Sequence, residues 1–232
     1  MRDELIQLDV HQHRVGVQVV IVIGGGVVGA GAALDAATRG LKVALVEARD
    51  LASGTSSRSS KMFHGGLRYL EQLEFGLVRE ALHERELSLT TLAPHLVKPL
   101  PFLFPLTQRW WERPYVAAGI FLYDQLGGAK SVPAQKHLFR ADALRLAPGL
   151  KRSSLIGGIR YYDTVVDDAR HTMMVARTAA HYGAVVRTST QVVSLLREGD
   201  RVVGVAIRDS EDGAVTEVHG HVVINATGVW TD

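Results

Sequence analysis

The chain has 232 residues, of which 47% are hydrophobic, a composition that excludes a disordered or fibrous protein and suits one large domain or two modest ones. Its 26 basic and 24 acidic residues leave a formal charge of only +2, so nucleic acid is not an expected partner. The absence of cysteine excludes disulfides, iron–sulfur clusters and thiolate nucleophiles, and redox chemistry in this chain would therefore require a bound cofactor.

The amino-terminal region combines a short leader with a long run that has no charge. Residues 1–17 carry mixed charge and no clear period, and we predict a leader that need not be ordered. Residues 15–34 contain no charged side chain, which meets the length rule for a membrane span. Six of these positions are glycine and residues 19–23 are all β-branched, so a strand and a glycine turn are favoured over the membrane span.

From residue 19 the pattern predicts a βαβ unit. A strand over 19–23 is followed by a glycine turn, a helix from about 27 to 39 that ends at Gly40, and a strand over 42–47. Two parallel strands require such a crossover, and its usual handedness places a ligand site at the carboxyl ends of the strands.

The rest of the chain predicts further helices and strands. Apolar residues recur at helical spacing from Leu77 until Pro94, and a second helix is expected over 115–126. Asp167 or Asp168 can cap a helix that ends near residue 182, which explains this acidic pair more simply than a paired-carboxylate catalytic site does. Strands are expected at about 184–188, 190–197, 201–208, 214–218 and 222–225.

The first candidate site is the GxGxxG pattern formed by Gly24, Gly26 and Gly29. The first glycine permits a tight turn, the second lets the backbone approach a pyrophosphate, and the third permits close helix packing. Glu47 ends the second strand, where an acidic side chain accepts hydrogen bonds from an adenosine ribose. Together these residues predict a dinucleotide, and NAD and FAD both fit this half of the site.

Two later segments favour FAD. The strand over 222–225 leads into Ala226-Thr227-Gly228, which resembles the ATG element of FAD-dependent enzymes. The loop over 48–61 is rich in Ser, Thr and Gly, and its short hydroxyl donors suit a pyrophosphate and a flavin ring. Gly65 and Gly66 permit the backbone to approach a flat cofactor.

A longer run carries a family resemblance. Residues 55–70 read TSSRSSKMFHGGLRYL, and this run resembles the signature of the quinone-linked, aerobic-type FAD-dependent glycerol-3-phosphate dehydrogenases. Shorter motifs at 80–87, 93–96, 123–124 and 166–170 resemble the same family in the same order. The resemblance therefore covers about residues 19–232.

The resemblance implies an α/β fold, namely a Rossmann-like FAD-binding domain of the D-amino-acid-oxidase-like flavoprotein type with part of a mixed-sheet substrate domain. We expect residues 18–232 to form a discontinuous FAD-binding domain, with its main parts at about 18–95 and 150–232. A partial substrate or cap region is expected to be inserted at about 96–149. Because the family continues beyond the ATG element, we expect a truncated, amino-terminal portion that is inactive by itself.

The implied reaction is the oxidation of sn-glycerol 3-phosphate to dihydroxyacetone phosphate, with hydride transfer to FAD and onward electron transfer to a quinone. Arg68 is expected to bind the substrate phosphate, because a guanidinium binds phosphate bidentately; a salt bridge is its structural alternative. His64 is expected either to act in catalysis, given an imidazole that titrates near neutral pH, or simply to pack. The residues expected to bind FAD are Gly24, Gly26, Gly29, Glu47, Thr55, Ser56, Ser57, Ser59, Ser60, Lys61, Gly65, Gly66, Leu67, Ala226, Thr227 and Gly228.

The resemblance also implies partners and a location. The full enzyme is expected in the cytoplasm, peripherally bound to the inner face of the cytoplasmic membrane, and a homodimer is compatible with it. Trp110-Trp111 beside Arg109 and Arg113 suits a membrane interface, although core packing is the stronger reading. The ten histidines show no metal-binding spacing such as HExxH, so no metal is expected.

Two alternatives remain open from the sequence. An amino-acid oxidase of the same broader flavoprotein fold would share the glycine loop and the ATG element, although residues 61–70 argue against it. The chain by itself can also be a non-catalytic, FAD-binding fragment.

Overall fold

The computed structural model describes residues 18–107, 111–127 and 131–231, without the side chain of Arg68. The predicted leader, Arg109 and Trp110 lie outside the described residues. The strands are β1 Val19–Ile23, β2 Lys42–Val46, β3 Met62–Phe63, β4 Lys98–Leu106, β5 Lys136–Phe139, β6 Gly157–Val165, β7 Val185–Arg187, β8 Thr190–Glu198, β9 Arg201–Asp209, β10 Val215–His219 and β11 Val222–Asn225. The α-helices are α1 Val27–Thr38, α2 Phe75–Leu87, α3 Glu112–Gly127, α4 Arg140–Leu146 and α5 Asp168–His181.

The chain divides into two compact units, and the first is formed by the segments up to Ser60 and from Asp168 onward. Its centre is a four-stranded sheet in the order β11-β1-β2-β7, and all three pairings are parallel. The predicted βαβ unit is therefore present, with α1 as the crossover between β1 and β2. Because the strands are parallel, Ile23, Val46, Arg187 and Asn225 end at the same edge of the sheet.

Both faces of this parallel sheet are buried, which explains why its strands are almost continuously apolar. On one face, Val20, Val22 and Leu45 pack with alanines of α1 and α5, including Ala33 and Ala179. Alanine lets the two helices approach each other and the sheet closely. On the other face, Ile21, Ala44 and Val46 pack with Val205, Ile207 and Val218 of the antiparallel sheet in the order β10-β9-β8.

The second unit, Lys61–Asp167, is organised around β6. This strand pairs antiparallel with β3, β4 and β5. Pro99, Pro101 and Pro105 lie at positions of the same parity in β4, and among the described residues β4 pairs only with β6. Alternate residues direct their backbone amides to the same side, so all three prolines remove donors from the side that faces away from β6.

The second unit and the inserted region predicted from the sequence have different bounds. The compact unit Lys61–Asp167 contains the predicted region at about 96–149 and extends beyond it on both sides. The reason is that β3 pairs with β6, so the segment after residue 61 belongs to the same sheet as the strand that ends at residue 165. Strands β3, β5 and β6 and helix α4 were not predicted from the sequence.

The alternative of a membrane span at residues 15–34 is wrong. Residues 19–23 form β1 and residues 27–38 form α1, with the glycine turn between them. Among the described residues, none of the helices combines the length and the apolar character needed to cross a membrane.

Candidate functional site

The glycine turn after β1 is packed so tightly that two of its positions exclude a side chain. Gly24 has φ +108°, and a Cβ there would lie 2.5 Å from the Ala226 carbonyl oxygen. A Cβ on Gly29 would lie 1.9 Å from the Gly24 carbonyl oxygen. Both distances are far below contact, so the first and third glycines of the pattern are sterically required. The turn after β1 therefore packs directly against the backbone of the segment that follows β11.

Glu47, at the end of β2, holds this turn through its carboxylate. Its Oε2 accepts a hydrogen bond from the Gly25 N–H at 2.7 Å, and its Oε1 accepts one from the Arg49 N–H at 2.9 Å. Each carboxylate oxygen retains a second lone pair, so these bonds leave acceptor capacity for a ligand hydroxyl. Gly25 was not among the predicted site residues, and a Cβ there would lie 2.9 Å from the Glu47 Cβ.

The amino terminus of α1 is capped by a hydroxyl from the following loop. Gly26 stands at the N-cap and has no side chain with which to cap the helix. The Val27 N–H instead donates to Ser56 Oγ at 3.0 Å, and a Cβ on Gly26 would lie 3.3 Å from this oxygen. The first turn contains no acidic residue. A helix amino terminus with this character favours an anionic group such as a phosphate.

The loop over 48–61, which we call the Ser/Thr loop, lies beside α1 and α5, and hydrogen bonds from its own hydroxyls order it. Thr55–Ser57 form a short 3-10 turn. The Ser57 hydroxyl donates to the Gly54 carbonyl oxygen at 3.2 Å, and the Ser59 hydroxyl donates to the Asp168 carboxylate. Ser60 is exposed. Of the predicted hydroxyl residues, the structure therefore places Ser56 at the glycine turn and shows Ser57 and Ser59 bonded within the loop and to α5.

The ATG segment follows β11 and faces the glycine turn. The Ala226 N–H donates to the Ile23 carbonyl oxygen at 2.8 Å. Asn225 orders the next residue, because its Oδ1 accepts from the Thr227 N–H at 3.1 Å and from the Thr227 hydroxyl at 2.8 Å. Gly228 follows with φ +70°, a conformation that favours glycine. Ala226, Thr227 and Gly228 were predicted site residues, whereas Asn225 was not.

Another residue that the sequence analysis missed is Trp230, two residues after the ATG segment. A Cβ on Gly54 would lie 2.8 Å from Cζ3 of the indole, so the ring packs directly on the backbone of the Ser/Thr loop. The indole is still 57% exposed. A partly exposed aromatic ring that packs on this loop offers an apolar surface to a ligand.

The remaining predicted residues belong to the second unit. Lys61 has φ +57° and Gly66 has φ +68°. His64 is exposed, whereas Gly65 is buried. Leu67 and Arg68 belong to a 3-10 turn, Leu67–Leu70, and the Arg68 side chain lies outside the described part of the structure. The predicted site residues are thus divided, and each compact unit holds one group of them.

A cavity of about 310 Å³ lies in the second unit beside His64. The residues that line it are Met62, Phe63, His64, Ala81, Glu84, Arg85 and Ser88. Arg85 is the buried member of this group, with only 3% of its surface exposed.

A series of buried hydrogen bonds that begins at Arg85 was not predicted from the sequence. Arg85 Nη1 donates to Asp163 Oδ1 at 2.9 Å, the Tyr123 hydroxyl donates to Asp163 Oδ2 at 2.9 Å, and the Gly65 N–H donates to the Tyr123 oxygen at 2.7 Å. Burial raises the pKa of the Asp163 carboxyl, against the opposing effect of the Arg85 guanidinium. Burial, reinforced by the Asp163 charge, also raises the pKa of Tyr123, so its hydroxyl stays protonated and can donate.

The acidic pair at 167–168 stands at the beginning of α5, where the cap prediction placed it. Within the described ranges, the structure shows no group of three or more histidine, aspartate or glutamate side chains arranged to hold a metal ion.

Comparisons with known proteins agree with one another. The DAO family profile, described as FAD dependent oxidoreductase, matches residues 19–232. The glycerol-3-phosphate dehydrogenase of Mycobacterium leprae (strain TN) is 91% identical over 213 residues, which cover 92% of this chain and 36% of that protein. The chain therefore spans about a third of the length of this relative.

Two solved structures share the fold. The glycerol-3-phosphate dehydrogenase from Bacillus halodurans, complexed with FAD, aligns with a TM-score of 0.68 and 30% identity, over 99% of this chain and 37% of that one. The L-proline dehydrogenase from P. horikoshii aligns with a TM-score of 0.66 and 24% identity, over 92% of this chain and 54% of that one. The predicted α/β fold of the D-amino-acid-oxidase type with mixed sheets is confirmed.

Proposed function

Because the chain belongs to the DAO family of FAD-dependent oxidoreductases, we propose that it binds FAD and forms part of an enzyme that oxidises sn-glycerol 3-phosphate to dihydroxyacetone phosphate. The observation that carries this proposal is the glycine turn between β1 and α1. Its backbone is held by Glu47 and by the close approach of Ala226, and it presents a helix amino terminus at the carboxyl edge of a parallel sheet.

The residues of the first unit fit the ADP half of FAD. A side chain on Gly24 or Gly29 would fill the space in which the turn packs. Because neither position carries a side chain, the turn can pack closely, and the amides at the start of α1 would be able to bind a pyrophosphate. Glu47 would bind the ribose through its remaining lone pairs, and Ser56 would stay beside the phosphates. Thr55, Ser57, Ser59, Ser60, Ala226, Thr227 and Gly228 complete the proposed contacts of this unit.

The residues of the second unit would bind the flavin and the substrate. Lys61, Gly65, Gly66 and Leu67 are proposed cofactor contacts. Bound FAD would supply the hydride acceptor for the substrate alcohol. Arg68 would bind the substrate phosphate, and His64 would contact the reacting region.

The choice of glycerol 3-phosphate over an amino acid is supported by the names of two relatives. The Mycobacterium leprae protein and the FAD complex from Bacillus halodurans are both glycerol-3-phosphate dehydrogenases, at 91% and 30% identity. The L-proline dehydrogenase is 24% identical and supports the fold alone. The amino-acid oxidase is therefore the second candidate.

The proposal extends to partners of the whole enzyme. Electrons would pass from the flavin to a quinone at the inner face of the cytoplasmic membrane, with peripheral attachment and a homodimeric assembly. The resemblance of residues 55–70 supports the acceptor and the location. Exposed aromatic residues at the start of α3 are compatible with attachment, because Trp111 and Tyr115 are 44% and 56% exposed.

An anaerobic absorption experiment tests the proposal. The full-length protein and the 232-residue chain are each purified and incubated with FAD. We expect both to retain flavin, and glycerol 3-phosphate to bleach the visible flavin band of the full-length protein only. D-Alanine and sarcosine serve as competing substrates. Bleaching by an amino acid and not by glycerol 3-phosphate would establish the amino-acid oxidase instead.

A further inference from the structure

His64 lies between two peptide groups that are both hydrogen-bonded. On one side, the Phe63 carbonyl oxygen accepts from the Thr164 hydroxyl at 2.6 Å. On the other side, the Gly65 N–H donates to the Tyr123 oxygen at 2.7 Å. His64 is itself exposed and lines the cavity of the second unit. The backbone on both sides of this histidine is therefore held, while its imidazole is accessible to a ligand.

The bond to Gly65 has a fixed direction because of the residues behind it. An amide N–H can only donate, so the Tyr123 oxygen must act as acceptor and its proton must point elsewhere. That proton goes to Asp163 Oδ2, while Asp163 Oδ1 accepts from Arg85. The three side chains are 1%, 4% and 3% exposed, so water does not compete for these bonds.

This arrangement also determines where the His64 carbonyl points. The peptide between His64 and Gly65 is planar and trans, so its C=O and N–H groups point in opposite directions. Since the N–H points inward to Tyr123, the His64 carbonyl oxygen points away from Tyr123. Position 65 must be glycine for this approach, because a Cβ would lie 2.4 Å from the Leu82 side chain.

We propose that Tyr123 and Thr164 are positioning residues that hold His64 in the conformation needed to contact the bound flavin, with Asp163 and Arg85 orienting the Tyr123 hydroxyl. This inference rests on the proposed function, since it assumes that the cofactor is FAD. Neither Tyr123 nor Thr164 needs to contact the cofactor. Each acts through the peptide group next to His64, and strand β6 supplies both Asp163 and Thr164.

The first test needs no cofactor. In the FAD-free full-length protein, Tyr123→Phe removes the acceptor of the Gly65 N–H. Hydrogen–deuterium exchange of the peptides that cover residues 62–67 should become about tenfold faster, because a lost buried hydrogen bond lowers the free energy of local opening. Tyr161→Phe is the matched control. It removes a hydroxyl from β6 two residues before Asp163. The Tyr161 ring stacks with Phe102, with 5.4 Å between the ring centroids, and Tyr161 is not one of the residues whose hydrogen bonds lead from Arg85 to Gly65.

The second test measures the effect on the cofactor. Thr164→Val keeps the shape of the side chain but removes the donor to Phe63, and Thr164→Ser restores a hydroxyl. We expect Thr164→Val and Tyr123→Phe each to weaken FAD binding about tenfold and to shift the visible flavin band, and Thr164→Ser to behave more like the unsubstituted protein. Thr164→Val keeps the proposal testable if Tyr123→Phe does not fold.

The outcomes separate the two proposals. Exchange near Gly65 that is no faster in Tyr123→Phe than in Tyr161→Phe would overturn the positioning role. Faster exchange with unchanged FAD affinity and spectrum would overturn it as well, because His64 would then not depend on these residues to reach the cofactor. If the unsubstituted full-length protein bound no FAD, both the proposed function and the flavin-directed role would fail, while the exchange data would still show whether Tyr123 holds Gly65.

Discussion

The Glu47 carboxylate accepts a hydrogen bond from the Gly25 N–H, with 2.7 Å between Oε2 and the amide nitrogen. The same carboxylate accepts from the Arg49 N–H. One side chain at the end of β2 therefore orders the glycine turn after β1 and the segment that follows β2. Glu47 is also proposed to bind a ribose. Ligand binding and the conformation of the glycine turn would then depend on the same carboxylate.

Glu47→Gln should lower both the stability of the protein and its affinity for FAD. An amide nitrogen cannot accept a hydrogen bond, so one of the two backbone donors would lose its partner, and the free energy of unfolding should fall by about 1–3 kcal/mol. FAD affinity should fall at least about tenfold by the same reasoning. Chemical denaturation and a FAD titration measure the two effects. Glu198→Gln is the control, because Glu198 is exposed on β8; an equal effect there would contradict the role of Glu47.

The first unit could largely be predicted from the sequence because its signals are local. β-Branched residues at 19–23, glycines at the turn and Gly40 after the helix stand next to the structure that they determine. Gly24, Gly29 and Glu47 followed from the spacing of one βαβ unit, and the structure places them together. Asn225 and Trp230 were missed because their contacts, to Thr227 and Gly54, carry no recognisable pattern in the sequence.

The second unit was harder to predict because its contacts join distant parts of the chain. Met62 pairs with Val165 across about a hundred residues, and β6 includes Gly157, Arg160 and Asp163, which interrupt an apolar pattern. A charged residue is expected at the surface unless it has a partner. Arg85 and Asp163 are each other's partners, 2.9 Å apart and buried, and nothing in the sequence links them.

Two glycines of α1 provide a matched test of the packing at the turn. A Cβ on Gly29 would lie 1.9 Å from the Gly24 carbonyl oxygen, whereas a Cβ on Gly31 would meet nothing within 4 Å. Gly29→Ala should therefore lower the melting temperature and abolish FAD binding, because the turn must move. Gly31→Ala should stabilise the protein by about 0.5–1 kcal/mol, because alanine favours the helix interior. Thermal unfolding of the two variants measures these changes in stability. Equal effects of the two substitutions would contradict the steric argument.

Ser56 caps α1 from outside the helix, and its removal should be measurable. Ser56→Ala leaves the Val27 N–H without its acceptor, and a lost cap costs about 1 kcal/mol of stability. We expect FAD affinity to fall as well, since the same helix end is proposed to face the phosphates. Ser60→Ala, an exposed position in the same loop, should leave the stability unchanged. A Ser56→Ala protein as stable as Ser60→Ala would show that the cap contributes nothing.

The stability of the first unit should depend on pH through His171 on α5. Burial lowers the pKa of this imidazole from its usual value, although Asp168 opposes the shift. The unfolded chain then binds more protons than the folded chain just below the usual histidine pKa of about 6.5. The stabilising contribution is therefore present above that pH and is lost as the pH falls toward the lowered pKa of the folded state.

His171→Gln should accordingly flatten the fall in melting temperature between neutral and mildly acidic pH. His181→Gln, a change of an exposed histidine at the other end of the same helix, is the control and should leave the slope as it is. Melting temperatures of the three proteins, taken at several pH values in that window, give the comparison. If His171→Gln and the unsubstituted protein lost stability in parallel as the pH falls, burial of this imidazole would not be the source of the acid sensitivity.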